Sequence, residues 1–162
     1  MINKILFLVA LILFVNFNVL AQTSGEINSK YAAVLQKWLT TKPGLRLATD
    51  EDYTKESLDF VRQSEGENFV PFYLAKDFSG DRKTDFAVIL VSNKDPKKFA
   101  VAVFNWPFGA SRPAFFKAEI EPGDVLYFNP NTRRLLVGPY GSDAGFALRP
   151  AGKTYRAQTF SE

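Results

Sequence analysis

The 162-residue sequence contains no histidine and no cysteine. Histidine is the commonest general base and the commonest protein ligand of transition metals. The absence of both residue types excludes histidine- or cysteine-ligated zinc sites, serine–histidine triads and cysteine–histidine dyads. The lack of cysteine also excludes a disulfide framework. We therefore predict a non-enzymatic protein.

The sequence also lacks a large excess of either charge. Lysine and arginine total 20, and aspartate and glutamate total 17, so the formal net charge is +3. The basic pairs Lys97–Lys98 and Arg133–Arg134 are too short to form a positive stripe. Because nucleic-acid binding relies on such a stripe, we expect no nucleic-acid partner.

The N-terminus has the features of a secretory signal peptide. A positively charged start precedes the unbroken apolar run Ile5–Phe14, and small residues lead up to Ala21. The apolar stretch is about 16 residues long, shorter than the roughly 20 that span a bilayer, which disfavours the alternative of a membrane anchor. We therefore predict a signal peptide at 1–21, a single mature domain at 22–162, and no membrane span after cleavage.

The absence of cysteine from a chain predicted to be exported also indicates the type of organism. Small secreted eukaryotic domains usually carry disulfides, and this chain has none. We therefore predict a periplasmic or secreted bacterial protein.

Hydrophobic periodicity predicts an α+β fold with N-terminal amphipathic helices. Thr23 and Glu26 have capping-box spacing, and an apolar stripe at helical spacing follows them as far as Leu39. A second, shorter helix is predicted from about 51 to 64, with Phe60 on its apolar face.

The apolar period changes from that of a helix to that of a strand at Phe69. The segments 85–92 and 99–104 are predicted to form a hairpin, and both faces of 99–104 are apolar, so we expect this strand to be covered on both sides. No internal repeat is visible. We expect the helices to pack on a single, mainly antiparallel β-sheet. Strands are predicted at 69–75, 85–92, 99–104, 114–120, 125–128, 133–137, 145–149 and 154–160.

One acidic stretch has the residue types and spacing of a cation site. Side-chain oxygens at the first, third, fifth and ninth positions, with one backbone carbonyl, suit calcium, which binds six to eight oxygens. The candidate metal ligands are Asp77, Ser79, Asp81, the Lys83 carbonyl and Asp85. An apolar run follows at once, so the stretch is predicted to be a tight loop that leads into a buried strand.

The segment from Leu74 to Val91 resembles the calcium-loop segment of the FG-GAP and VCBS repeats. It matches their pattern at Asp77, Phe78, Gly80, Asp81, Lys83 and Asp85, and departs from it at Ser79, Arg82 and Thr84. The resemblance implies a strand–acidic loop–strand hairpin, with calcium bound by the carboxylates and Ser79. It covers under a fifth of the mature chain and has no second copy, so we do not expect a β-propeller.

The departure at Arg82 opens a metal-free alternative. Glycine at this place in the repeats indicates a left-handed backbone, which costs a non-glycine residue about 1–2 kcal/mol. Arg82 also brings a positive charge beside the carboxylates. In this alternative the loop keeps its shape through Asx-type hydrogen bonds and through ion pairs from Arg82 or Lys83.

The expected function is binding of a protein or glycan partner outside the cytoplasm. The candidate partner-binding residues are Trp106, Phe108 and Tyr140, because aromatic residues in Pro- and Gly-rich loops serve recognition; each is alternatively an anchor folded back on the core. A carboxylate-dependent hydrolase that uses Glu119 and Glu121 is a second hypothesis. A structural accessory subunit of an envelope assembly is a third.

Overall fold

A computed structural model of the chain describes residues 27–110 and 112–160. The predicted signal peptide and the capping pair Thr23 and Glu26 lie outside these residues. Within them the chain has two α-helices and nine strands in two antiparallel sheets. The mixed composition is confirmed, whereas the prediction of a single sheet is wrong.

The first helix begins in a compact unit that ends at Ala33, and all contacts discussed below belong to the unit that begins at Val34. Two short 3-10 turns, Asp50–Asp52 and Phe108–Ala110, separate longer elements. The helices are α1 (Ser29–Leu39) and α2 (Lys55–Glu65), and the strands are β1 (Leu45–Leu47), β2 (Tyr73–Lys76), β3 (Asp85–Ser92), β4 (Phe99–Phe104), β5 (Phe115–Ile120), β6 (Val125–Asn129), β7 (Arg134–Gly138), β8 (Phe146–Ala151) and β9 (Thr154–Thr159).

Helix α2 begins later than its sequence pattern predicts. Its N-cap is Thr54, whose hydroxyl accepts the backbone N–H of Ser57 at 3.2 Å. Asp50–Asp52 form a separate 3-10 turn instead of the first helical turn. The helix buries Leu58 and Val61, while Phe60 is 53% exposed, so the predicted inward position of Phe60 is wrong.

The first sheet has the strand order β1–β3–β4–β5, and β2 shares the edge of β3 with β1. The predicted hairpin of β3 and β4 is confirmed, with Phe86 opposite Phe104. Both strands are buried along nearly their whole length, as the apolar faces of β4 predict. The Trp38 ring of α1 makes edge contacts with Phe104 at 5.5 Å and with Phe116 at 5.6 Å, which covers one face of this sheet.

The second sheet is a meander in the order β6–β7–β8–β9. Its core-facing side chains, such as Leu126 and Leu148, belong to the same hydrophobic cluster as Ile89 and Val101 of the first sheet. The backbone N–H of Leu126 in β6 also donates to the carbonyl of Pro71, just before β2, at 2.7 Å. This hydrogen bond links the second sheet to the segment that leads into the first. The two sheets therefore share one core.

Candidate functional site

Asp85, the first residue of β3, is fully buried and holds two loops together. Its Oδ2 accepts the backbone N–H groups of Phe78 at 3.1 Å and Ser79 at 2.8 Å. Its Oδ1 accepts the backbone N–H of Trp106 at 3.0 Å. One carboxylate thus joins the acidic loop (residues 77–84) to the tryptophan loop (residues 105–108), and we call the two together the loop surface.

The environment of Asp85 raises the pKa of its carboxyl group above the ordinary value. Burial is the largest cause, because removal from water disfavours the charged form. The hydrogen bonds from the backbone N–H groups of Trp106 and Ser79 lower this pKa and so act in the opposite direction. The three N–H donors therefore offset only part of the cost of burying this charge.

The rest of the acidic loop is folded around its own carboxylates. Asp77 Oδ1 accepts the Gly80 N–H at 2.7 Å, and Asp77 Oδ2 accepts the Arg82 N–H at 3.1 Å. Asp81 Oδ1 accepts the Lys83 N–H at 2.8 Å. These are the Asx-type bonds of the metal-free alternative, and Arg82 has the left-handed backbone expected of it, with φ of 67°.

The ion pair on the acidic loop comes from a distant residue. Arg133 Nη2 donates to Asp77 Oδ2 at 2.9 Å, whereas Arg82 and Lys83 were the expected cations. Arg133 lies in the turn before β7, 56 positions along the chain, so local sequence did not reveal the pair. In this geometry the guanidinium of Arg133 balances the charge of Asp77.

The candidate ligands Asp77 and Asp85 already have hydrogen-bond partners in this arrangement. Both oxygens of each carboxylate accept N–H groups, and each Oδ1 accepts only one and keeps a second acceptor site. Ser79 is half-buried, whereas Asp81 and Lys83 are exposed. Across 27–110 and 112–160, no group of three or more acidic residues could hold a metal ion. The geometry favours the metal-free alternative, and calcium binding stays a prediction.

A thermal melt of the full chain with calcium and with chelator tests the two alternatives. We expect the same midpoint, within about 1 °C, because Arg133 already pairs with Asp77 and the described residues hold no group of three acidic residues placed for a metal ion. A ligand at one hundred times its dissociation constant would add about 2.7 kcal/mol, or several degrees. Such a shift, present in the wild type and absent in Asp81→Ala, would establish the calcium site instead.

The structure brings together two of the three candidate partner-binding residues. The Trp106 and Phe108 rings meet edge-on with centroids 5.3 Å apart, and Phe108 packs on the buried ring of Phe86 at 5.4 Å. Trp106 keeps 38% of its surface exposed. Phe108 is therefore an anchor on the core, while Trp106 presents an aromatic surface to solvent.

Tyr140 lies among a different set of side chains. Its ring makes edge contacts with Phe60 of α2 at 5.9 Å and with Tyr127 of β6 at 6.0 Å. Its hydroxyl donates to Glu65 at 2.6 Å. This hydrogen bond is the main reason that the pKa of Tyr140 is raised. These contacts hold Tyr140 against α2, so it does not belong to the loop surface.

The tryptophan loop is also held from the second sheet. The Tyr155 hydroxyl of β9 donates to Asn105 Oδ1 at 2.6 Å, and burial raises the pKa of Tyr155. Asp85 and Tyr155 thus fix the loop from both sheets. Tyr155 does not stand out in the sequence, because it is one residue of a regular strand pattern, whereas Asp85 was predicted as a metal ligand and not as an acceptor of N–H groups from two loops.

The acidic pair proposed for a hydrolase lies beside a third carboxylate that the sequence did not single out. Glu119 sits at an irregularity between β4 and β5, with φ of 63°. Glu119 and Glu121 line a cavity with Asp124, which is 3% exposed. Asp124 was missed because its burial depends on contacts with distant segments, such as the bond from the Tyr53 hydroxyl to its carbonyl.

No protein family, curated protein or solved structure matches this chain. Among the residues that the structure describes, no helix is long and apolar enough to cross a membrane.

Proposed function

We propose that this chain is an exported, non-catalytic binding module whose loop surface docks a protein partner through Trp106. The observation that carries the proposal is the combination of a 38% exposed Trp106 side chain with a backbone fixed by the buried Asp85 carboxylate. Tryptophan is one of the three residue types enriched among binding hot spots, with tyrosine and arginine. Export is supported by the signal-peptide pattern at 1–21.

Pre-organisation is what separates this tryptophan from an ordinary exposed aromatic residue. Ordering a mobile loop on binding costs affinity, and a loop already held in place avoids that cost. The tryptophan loop is fixed by the Asp85 and Tyr155 hydrogen bonds and by the packing of Phe108. Trp106 can therefore enter a pocket on a partner without reordering its own backbone.

The charges near Trp106 indicate the chemistry of the partner. The acidic loop carries exposed Asp81, Arg82 and Lys83, so both signs of charge lie on the same surface. A polar rim of mixed charge around a central aromatic residue is the arrangement of protein–protein interfaces. We therefore favour a protein over a glycan as the partner.

Affinity capture with the full chain tests this proposal. The Trp106→Ala variant is expected to lose about thirtyfold in affinity for the captured partner, the effect of removing a hot spot of 2 kcal/mol. Phe116→Ala is the matched control, because Phe116 is also 38% exposed but lies on β5 outside the loop surface. Its affinity is expected to equal that of the wild type, with both measured by surface plasmon resonance.

Two results would contradict the proposal. Equal losses in Trp106→Ala and Phe116→Ala would show that exposure alone, not the loop surface, governs the interaction. Binding to immobilised oligosaccharides that depends on Trp106 would instead assign a glycan as the partner.

A further inference from the structure

A cavity of about 270 Å³ lies where the end of β5 meets the second sheet. Its charged lining residues are Lys117, Glu119, Glu121 and Asp124, and we call it the carboxylate cavity. It shares no residue with the loop surface and is independent of the function proposed there. The volume is several times the roughly 30 Å³ of a water molecule, and it approaches the lower end of ligand pockets, about 300 Å³. A small organic molecule fits.

The inner acceptor of the carboxylate cavity is Asp124. The residue is 3% exposed, and its Oδ2 accepts the Glu121 N–H at 3.2 Å. Its Oδ1 is buried without a hydrogen-bond partner in the described part of the chain. Buried carboxylate oxygens in folded proteins are almost always paired, because an unpaired one costs about 1–3 kcal/mol. A ligand that donates a hydrogen bond to Oδ1 would recover this energy.

The charges around the cavity select a cation. Three carboxylates line it against one ammonium group, that of Lys117. The Lys117 ammonium lies 5.5 Å from the centroid of the Phe146 ring and donates to the Glu119 carbonyl at 3.4 Å. The ring of Phe146 thus already attracts one cation at the cavity wall.

The remaining walls suit an alkyl chain rather than a bare metal ion. Ile120 and Phe146 contribute apolar surface to the cavity. Over 27–110 and 112–160, no cluster of acidic residues has the arrangement of a metal site. A compact hydrated cation would leave this apolar surface uncovered, whereas an alkylammonium compound covers it.

We propose that the carboxylate cavity binds a small primary alkylammonium compound, whose N–H groups donate to Asp124 Oδ1 and whose alkyl chain lies against Phe146. The Lys117 ammonium competes with this ligand for the same carboxylates. Removing the Lys117 charge therefore strengthens binding, which distinguishes a cation site from a purely apolar one.

Binding depends on pH through Asp124. Burial is the main cause that raises the pKa of Asp124 to about 6. Glu121 adds to the rise, whereas Lys117 lowers this pKa. The phenols of Tyr53 and Tyr127 also face Asp124, but burial raises the pKa of each, so neither ionises near neutral pH. A cation prefers ionised Asp124, and at pH 5 only about a tenth of this carboxylate is ionised.

An NMR titration of the ¹⁵N-labelled full chain with n-butylamine tests the proposal, with butan-1-ol as the neutral molecule of similar shape. We expect butylamine to shift the amide resonances of Ala144, Gly145 and Phe146 with a millimolar dissociation constant at pH 7.5. Binding at pH 5 should be about tenfold weaker, because Asp124 is then mostly protonated. Butan-1-ol should bind at least tenfold more weakly than the amine.

Variants separate this site from nonspecific binding. Asp124→Asn should weaken butylamine binding at least tenfold and abolish its pH dependence, while Lys117→Gln should strengthen binding. If Asp124→Asn does not fold, Glu121→Gln, which changes an exposed residue of the same cavity, should weaken binding about threefold. Asp81→Asn on the acidic loop should leave binding unchanged. Equal binding of amine and alcohol, or butylamine affinity unchanged by Asp124→Asn or by Glu121→Gln, would overturn the proposal.

Discussion

The Asp85→Ala variant is expected to lose about 4 kcal/mol of free energy of unfolding. The substitution removes the acceptor of three backbone N–H groups, those of Phe78, Ser79 and Trp106. A buried donor left without a partner costs about 1–3 kcal/mol. The raised pKa of Asp85 indicates that burying its carboxylate costs free energy. The alanine variant no longer has this cost, which offsets part of the loss. Urea denaturation of the full chain measures the difference, which corresponds to a midpoint about 10–15 °C lower in a thermal melt.

Two comparisons show whether the hydrogen bonds cause this loss. Asp81→Ala removes an exposed carboxylate of the same loop that accepts a single N–H, from Lys83, so it should cost about 0.5 kcal/mol. Asp85→Asn keeps one acceptor oxygen but turns an NH₂ group toward N–H donors, so it should cost about 2 kcal/mol. An Asp81→Ala cost as large as that of Asp85→Ala would contradict the central role of Asp85.

The second large effect is expected from Gly145→Ala, which should cost about 4 kcal/mol or more. Gly145 has φ of +117°, and a Cβ atom there would lie 2.4 Å from the Val137 carbonyl oxygen and 2.8 Å from Gly138 Cα. Both neighbours are backbone atoms, which cannot move aside as the end of a flexible side chain could. The variant therefore has two costs. One is backbone strain of about 1–3 kcal/mol, and the other is a steric overlap that is relieved only if β7 and β8 move apart.

Gly152→Ala is the matched control for Gly145→Ala. Gly152 also has a positive φ, +69°, but a Cβ atom there would meet nothing within 4 Å. We expect it to cost only the strain of a left-handed alanine, about 1–2 kcal/mol. Urea denaturation measures the free energy of unfolding of both variants, and the difference between their losses is the contribution of the steric overlap at Gly145. Equal losses would show that β7 and β8 do not approach as closely as described.

Sequence periodicity predicted the hairpins well because it reports which residues lie on the same face of a strand. The run after Asp85 and the apolar faces of 99–104 predicted two buried, paired strands, and the structure has them. The same pattern does not report which strands become neighbours. The second sheet was therefore not predicted, nor was the three-residue strand β1, which is too short for a period to show.

The acidic loop shows the same limit for the candidate site. Its Asx-type hydrogen bonds were predicted from the residue types, and the left-handed backbone of Arg82 from the resemblance to the FG-GAP and VCBS repeats. The role of Asp85 did not, because its third donor is Trp106, 21 positions later. The sequence alone therefore indicated a metal ligand where the fold provides backbone donors for the same carboxylate.

Phe60 was placed wrongly for a related reason. The sequence shows several apolar residues in α2, but contacts with the rest of the fold decide which helix face is buried. Leu58 and Val61 are three positions apart and share the buried face, whereas Phe60 is two positions from Leu58 and lies on another face. Asp124 was missed because no local pattern reports burial by distant chain segments.

The meander order of the second sheet has a consequence for how the chain reaches its native state. Each strand from β6 to β9 pairs with the strand next to it in sequence, so each pairing closes only a short loop. The pairing of β1 with β3 instead joins Leu45 to Ser92 across a long intervening segment. Because loop-closure entropy must be overcome before distant contacts form, we expect the pairings within the C-terminal sheet to form before the pairing of β1 with β3.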